Sequence, residues 1–319
     1  MKKISILIPA YNEEEVLEPL YHRLGKLAND NKSYDFEFIF SDDGSTDKTL
    51  GMIKEYSKID ERVGYVSLSR NFGKEIGMIA GLDHVTGDAT VIIDADLQDP
   101  PELIPKMIKY WEDGFDDVYA KRNHREGETW FKMLTANGYY WILNKMTQTQ
   151  LITIPRNTGD FRLLDKRCVE ALKQLRESER YTKGMYSWIG YRKKEITYDR
   201  DPRLAGDVKQ NYRKLTNLAF DGITSFSTTP LRISTVLGVL VSVAAFLYLG
   251  KVILQAVLFG DKVAGYPSLM AVVLFLGGVQ LLSLGVIGEY VGRIFKESKG
   301  RPLYFVEESH AAKASKKTR

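Results

Sequence analysis

The two long uncharged stretches near the end of the chain limit what it can be. Residues 233–250 hold 18 residues without a charge and residues 263–288 hold 26. As helices, each is long enough to cross about 30 Å of hydrocarbon at about 1.5 Å per residue. Two buried core helices would need a surrounding domain. After residue 230 only a short connector, Phe259 to Lys262, and a polar tail remain. The expected arrangement is a soluble domain over 1–206, then a juxtamembrane helix over 207–230 and transmembrane helices over 231–258 and 263–292. With 319 residues, 44% hydrophobic and 27% charged, the chain can bury one full domain of about 200 residues ahead of those helices.

The net charge of +4 is localised: residues 296–319 carry seven Lys or Arg and three Glu, so the other 295 residues sum to zero. No basic face dominates the globular part, which argues against nucleic acid as a partner. Arg232 precedes the first apolar run, and Arg293, Lys296, Lys299 and Arg301 follow the second. The positive-inside rule then places both ends in the cytoplasm, with a basic cytosolic tail over 293–319. Lys251 can snorkel at the outer end of the first span. The start, MKKISILIPA, imitates a signal peptide, but its apolar run covers only Ile4 to Ala10 and an acidic cluster follows. It reads as a first strand. The single Cys168 excludes internal disulfides, in keeping with a reducing cytosolic side, and the four His form no metal-ligand spacing.

Residues 1–120 alternate strand and helix signals: ISILIP and a helix from about Glu13; FEFIFS and a helix after Ser45-Thr46-Asp47; VGYVSL and a helix after Gly73; ATVIID and a helix after Pro101; then DDVYA. Alternation at this spacing predicts βαβ units and a mainly parallel, Rossmann-like sheet. The turn after the first strand has no G-x-G-x-x-G and places carboxylates where a pyrophosphate would sit, which argues against a dinucleotide oxidoreductase.

Acidic residues recur at three strand ends, in Glu13-Glu14-Glu15, Asp42-Asp43 and Asp94-Ala95-Asp96. Ligands of open α/β sheets bind at the carboxyl ends of the strands. In extended geometry Asp94 and Asp96 share a face, and two hard oxygen donors suit Mg²⁺ or Mn²⁺ on substrate phosphates. Each cluster alone also reads as a helix cap; three at one sheet edge are not easily caps only. Further along, Lys121 to Gly127 reads either as a loop carrying cations over a site or as a solvated loop. The aromatics of Trp130 to Met146 read as core. Thr158 to Leu163 places Asp160 two residues from Arg162 beside Gly159, as a reactive acid or as a salt bridge with Arg162. Lys183 to Trp188 offers aromatics that line a pocket or pack.

In sequence, PAYNEE, SDDGSTD, LSRNFGKE, DADLQDPPE, TGDFRLLDKR and KGMYSWIG resemble the family 2 glycosyltransferases of GT-A fold that load sugars onto polyprenyl phosphates. The likeness is nearest to the bacterial undecaprenyl-phosphate (bactoprenol) glucosyltransferases and more distant to the dolichol-phosphate mannose synthases. It spans residues 4 to about 295. The resemblance implies nucleotide-sugar contacts from Pro9, Tyr11, Glu13, Asp43, Asp94, Ala95 and Asp96, metal ligation of Mg²⁺ or Mn²⁺ by Asp96 and Gln98, and phosphate or acceptor contacts from Arg122, Arg203 and Lys209. Asp160 is the catalytic candidate. Mannose synthases carry Ser at its position, which leans the chain towards the glucosyltransferases. The implied reaction is inverting transfer of a hexose, glucose from UDP-glucose, to undecaprenyl phosphate at the cytosolic face of a bacterial plasma membrane.

Alternatives are another sugar on the same carrier (GlcNAc, mannose or an aminoarabinose derivative), or a membrane-tethered nucleotide-sugar binding protein without turnover. A processive polysaccharide synthase is disfavoured, because the chain has no Arg-Trp pair and only two expected spans. Over 207–230, Leu215, Leu218, Ala219, Ile223 and Phe226 fall near helical spacing, with Lys209, Arg213 and Lys214 facing elsewhere, so this helix is expected to lie in the headgroup layer. Ser234, Gly238 and Ser242, with Gly288 and Gly292, allow close helix packing, either within one chain or in a homo-oligomer.

Overall fold

The computed structural model describes residues 1–123, 155, 158–199, 229–259 and 265–313. The chain divides into two compact units, Met1–Ala219 with Pro302–Arg319, and Phe220–Arg301. In the first, β1 (Lys3–Ala10), β2 (Asp35–Asp42), β3 (Val63–Leu68) and β4 (Ala89–Ile92) alternate with α1 (Leu17–Asp30), α2 (Thr49–Ile59) and α3 (Lys74–His84). A 3-10 turn at Pro101–Leu103 leads into α4 (Ile104–Glu112), and β5 (Asp117–Arg122) follows. Then come β6 (Thr158–Asp165), α5 (Lys166–Gln174), α6 (Thr182–Trp188) and β7 (Lys193–Tyr198).

These strands read as unbroken apolar runs because the sheet is covered on both faces. Ile4, Ile6 and Ile8 of β1 pack with Leu17, Leu20 and Leu24 of α1 and with Ile104, Met107 and Ile108 of α4, all buried. On the opposite face Gly81 of α3 comes so near Leu7 that a Cβ there would stand 2.2 Å from a Leu7 methyl. The sheet order is β7-β5-β6-β4-β1-β2-β3-β8. β4, β1, β2 and β3 run parallel, as do β5 and β7, while β6 is antiparallel to both β4 and β5. The chain moves outward from β1 to β3 and then returns to the other side of β1, so the carboxyl ends of β1 and β4 flank the switch point where such sheets bind ligands.

Helices start after Asp47, Gly73 and Pro101 as the pattern predicts. The first starts later, at Leu17 rather than near Glu13. The Glu13 and Glu14 amides instead donate to Thr49 Oγ1 at 2.8 Å and Asp47 Oδ2 at 3.3 Å, tying the turn after β1 to the turn after β2. The C-terminal stretch differs from a plain basic tail. Val306–His310 forms β8, antiparallel on β3 with Tyr65 opposite His310 and Ser67 opposite Glu308. Just before it, the Tyr304 hydroxyl donates to Asp83 Oδ2 at 2.6 Å.

The second unit contains α7 (Thr229–Phe259) and α8 (Tyr266–Ser298), which pack on each other. Val236, Leu240, Phe246, Leu247, Phe275, Leu281 and Leu284 lie on their exposed surface. Among the described residues one segment, Phe275–Ser298, is long and apolar enough to cross a membrane, and Ile233–Tyr248 is a shorter apolar helix. The helix expected to end at 292 continues to Ser298. Most of 207–230, together with Arg203 and Lys209, lies outside the described residues, as do Trp130 to Met146 and the loop beyond Asn123.

Candidate active site

The site follows from the β4–β6 pairing. Ile92 stands opposite Arg162 in an antiparallel register, and continuing that register two residues sets Asp94 across from Asp160. Adjacent carboxylates repel. Here the ammonium of Lys74, the first residue of α3, lies between them, 2.7 Å from Asp94 Oδ1 and 2.9 Å from Asp160 Oδ2. The Asp160 and Asp94 side chains are 12% and 21% exposed, while about half of the Lys74 side chain, 48%, remains open. Burial would raise the Asp160 carboxyl, but the charges of Lys74 and Lys183, the Lys74 hydrogen bond and Arg162 outweigh it and bring it down to about 2. Burial would lower the Lys74 ammonium; Asp94 and Asp160 hold it well above its ordinary value.

Arg162 does not pair with Asp160, correcting the salt-bridge reading. Its guanidinium binds Asp117 at 3.0 Å, with both side chains buried, and stacks 3.6 Å from the Tyr186 ring centroid. The reason is the β5–β6 register: Arg162 faces Tyr119, which puts Asp117 on the diagonal.

Past β4 the chain turns sharply. Leu97, buried at 1% exposure, has φ 59°, a left-handed conformation that costs a Leu about 1–2 kcal/mol. The Gln98 amide donates to Asp96 Oδ1 at 3.2 Å, which keeps the carboxylate and the Gln98 side chain on one turn. Among the described residues no three His, Cys, Asp or Glu converge as a metal cage. The Asp96 carboxylate and the Gln98 side-chain amide are oxygen donors of the kind a hard divalent ion such as Mg²⁺ or Mn²⁺ takes. Asp99, fully buried, accepts a short hydrogen bond from the Tyr198 hydroxyl, and that oxygen accepts the Arg122 Nε–H at 3.3 Å. Arg122 crosses Gly159 so closely that a Cβ there would lie 2.8 Å from Nη2. Any larger residue at 159 would displace the cation.

Pro9, Tyr11 and Glu13 line the end of β1 and the turn after it, with Tyr11 38% exposed. Asp43, buried after β2, accepts the Phe72 and Gly73 amides at 2.7 and 2.8 Å. Burial still raises its carboxyl. Its visible work is to hold the turn that presents Lys74, through Gly73 at φ 99°. The structure thus gathers Asp94, Ala95, Asp96, Gln98, Arg122 and Asp160 at the β4 and β6 ends, and Pro9, Tyr11, Glu13 and Asp43 beside them.

Two participants escape the motif reading. Lys74 is one. Glu75 is the other: it accepts the Thr182 amide at 3.1 Å, and burial followed by the nearby Asp160 charge pushes its carboxyl up to about 7. The available signal was LSRNFGKE, which follows β3 and so opens on the same sheet edge.

The model of glycosyl transferase family 2 matches residues 5–173, and that of the GtrB C-terminal hairpin matches residues 229–294. An uncharacterized glycosyltransferase of Synechocystis sp. is 49% identical over 96% of this chain and 95% of its own. The bactoprenol glucosyl transferase of Shigella phage SfX is 45% identical over 96% of this chain and 99% of its own. A prophage bactoprenol glucosyl transferase homolog of Escherichia coli K12 is also 45% identical, over 96% and 98%.

Proposed function

The chain belongs to glycosyl transferase family 2 and is a glycosyltransferase, and from that premise we propose that it transfers glucose from UDP-glucose to undecaprenyl phosphate, with metal dependence and inversion, at the cytosolic face of a bacterial plasma membrane. The observation that carries the reading is the extent of the match to bactoprenol glucosyl transferases, 96% of the chain, which runs through both the catalytic unit and the apolar hairpin. An acceptor whose head is polar and whose tail stays in the bilayer requires both parts in one molecule.

In the proposed reaction, the donor's uridine and diphosphate lie along Pro9, Tyr11, Glu13 and Asp43 towards Asp94, Ala95 and Asp96. Asp96 and Gln98 would hold a divalent ion, which would supply charge stabilisation to the departing nucleoside diphosphate. Arg122, steadied by Tyr198 and Asp99, adds a fixed positive charge for phosphate, and Arg203 and Lys209 serve the acceptor. A phosphate monoester has a second pKa of about 6 and is largely a dianion at neutral pH, so Asp160 need not be a strong base. Asp160, its carboxyl held low against its burial by the Lys74 ammonium, orients the acceptor or helps to deprotonate it.

Both helices of the hairpin are read as spans, 231–258 and 263–292, with the catalytic unit and both termini in the cytoplasm. Washed membranes given labelled nucleotide sugars and undecaprenyl phosphate should yield a lipid-extractable, singly glycosylated product from UDP-glucose. Water-soluble polymer, or label from a different sugar nucleotide alone, overturns the assignment. A reporter fused after Arg319 should report cytoplasm; a periplasmic signal would remove one span.

A further inference from the structure

The first helical position of α3 is an unfavourable place for a lysine. Helix N-termini carry a partial positive charge and favour acidic residues, and Gly73 ahead of Lys74 provides no side-chain cap. What offsets this is the pair Asp94 and Asp160, brought to the same ammonium from β4 and β6 at 2.7 and 2.9 Å. Five further groups set the field around that contact. Glu75 beside it and Tyr186 and Lys183 of α6 act on Asp160, with Arg162 behind it on β6 and Arg180 acting on Glu75.

The bond geometry is directional. Lys74 takes Asp160 through Oδ2, while Oδ1, buried, accepts no hydrogen bond among the described residues. A buried carboxylate oxygen without a donor is costly and is the arrangement expected where a ligand supplies the donor or the positive centre. Lys74 also joins the donor-side carboxylate, Asp94, to the acceptor-side one.

We propose that Lys74 is the positioning residue of this transferase: it holds Asp160 through one oxygen so that the other stays open to the transferring sugar, whose hydroxyls donate and whose anomeric carbon gains positive charge, and it keeps two carboxylates from opposite sides of the transfer within one hydrogen-bond radius. The inference rests on the reading of Asp160 as the acceptor-side group. Lys74 acts through Asp160 and Asp94 and reaches the reaction only by that route. The part of its effect that runs through Asp160 therefore vanishes when Asp160 has been neutralised, and only the contact with Asp94 remains.

A double-mutant cycle on the full-length protein tests this, with turnover and donor KM measured for Lys74→Met, Asp160→Asn and the double variant, and a melting curve for each. Lys74→Met should lower kcat roughly 10²-fold, close to the loss in Asp160→Asn. The double variant should be no worse than about threefold below Asp160→Asn, since the second change removes a partner already gone. Lys74→Arg, which keeps the charge, should recover activity to within about tenfold of wild type. If Lys74→Met does not fold, Lys74→Gln carries the same cycle, with the double variant, free of the carboxylate repulsion, as the folded reference. Multiplying losses, or a Lys74→Met rate within about threefold of wild type, overturns the proposal while leaving Asp160's role intact. A loss of less than about tenfold in Asp160→Asn overturns instead the reading beneath it.

Discussion

Asp94 and Asp160 face each other across the antiparallel β4–β6 pair and share the single ammonium of Lys74. Replacing Asp160 by Asn leaves Lys74 bound to Asp94 and the Arg162–Asp117 pair whole. The fold should therefore tolerate it. UDP affinity is expected to stay near wild type and the melting temperature to fall only modestly, by the loss of the Lys74–Asp160 contact, while transfer falls by roughly 10² to 10⁴, nearer the low end because the acceptor is already ionised. Turnover, a melting curve and UDP binding on one purified variant decide it. A loss under about tenfold would leave the cations and Asp96 to account for the chemistry through electrostatics.

The stabilising ion pair of this region is Arg162 with Asp117. Both side chains are buried, at 4% and 0% exposure, and removing one partner of such a pair typically costs about 3–5 kcal/mol because the other charge is stranded. Asp117→Asn is expected to lower the denaturant midpoint of the catalytic unit sharply. A midpoint within error of wild type would show that Tyr186, stacked on Arg162, can hold that charge alone.

Much of the sheet was legible because its signals are local. Apolar runs ending in carboxylates, repeated at βαβ spacing, locate the edge where Asp94, Asp96 and Asp43 lie. The partners of Asp160 and Arg162 were not legible, because they depend on how β6 is registered against β4 and β5, a pairing across about 70 residues for the first and about 45 for the second. Lys74 by sequence is one lysine opening a helix, and its meaning comes only from Asp160 arriving from the far side of the chain. The strand VEESH looks like tail for a related reason. It is short, charged and mostly exposed, the composition that sheet edges favour and that solvated tails share.

The metal reading has its own test. Asp96→Asn should remove most turnover, and because Asn keeps an oxygen able to accept the Gln98 amide the fold should persist. Chelator should reproduce the loss in the wild type, and Mg²⁺ or Mn²⁺ should restore it. Undiminished transfer in excess chelator would end the assignment of Asp96 and Gln98 as ligands.

The C-terminal strand covers the β3 edge of the sheet, and Tyr304 fastens it to Asp83, which also binds the Arg176 guanidinium with both oxygens at 2.8 Å. Tyr304→Phe loses one hydrogen bond, worth about 0.5–1.5 kcal/mol net. Truncation before Pro302 should do more: it uncovers the backbone of β3, and an open strand edge invites pairing between molecules. The expected outcome is a lower melting temperature and greater light scattering on warming than in the full chain. If truncated and full-length proteins scatter alike, the strand is dispensable to the edge.

Glu75 sets a pH dependence whose sign can be worked out. Burial first, and then the negative charge of Asp160, raise its folded carboxyl to about 7 from an ordinary value of 4.5. Between those two values the native protein retains a proton that the unfolded chain has released, so the Glu75 contribution to stability falls as pH rises through that window. Asp160 runs the other way. Its lowered carboxyl contributes stability above 3.8 and loses it only as pH falls towards 2, well outside the same window. Glu75→Gln keeps a carbonyl oxygen for the Thr182 amide and cannot ionise. Its melting temperature should match the wild type near pH 5 and exceed it by a few degrees at pH 8. The difference between the two curves isolates this one group, because every other titration is common to both proteins. Asp160→Asn, by removing the charge that helps raise Glu75, should narrow the same difference. Parallel melting curves for wild type and Glu75→Gln from pH 5 to 8 would mean that Glu75 ionises like an ordinary surface carboxylate and that the cluster around Lys74 is looser than its distances imply.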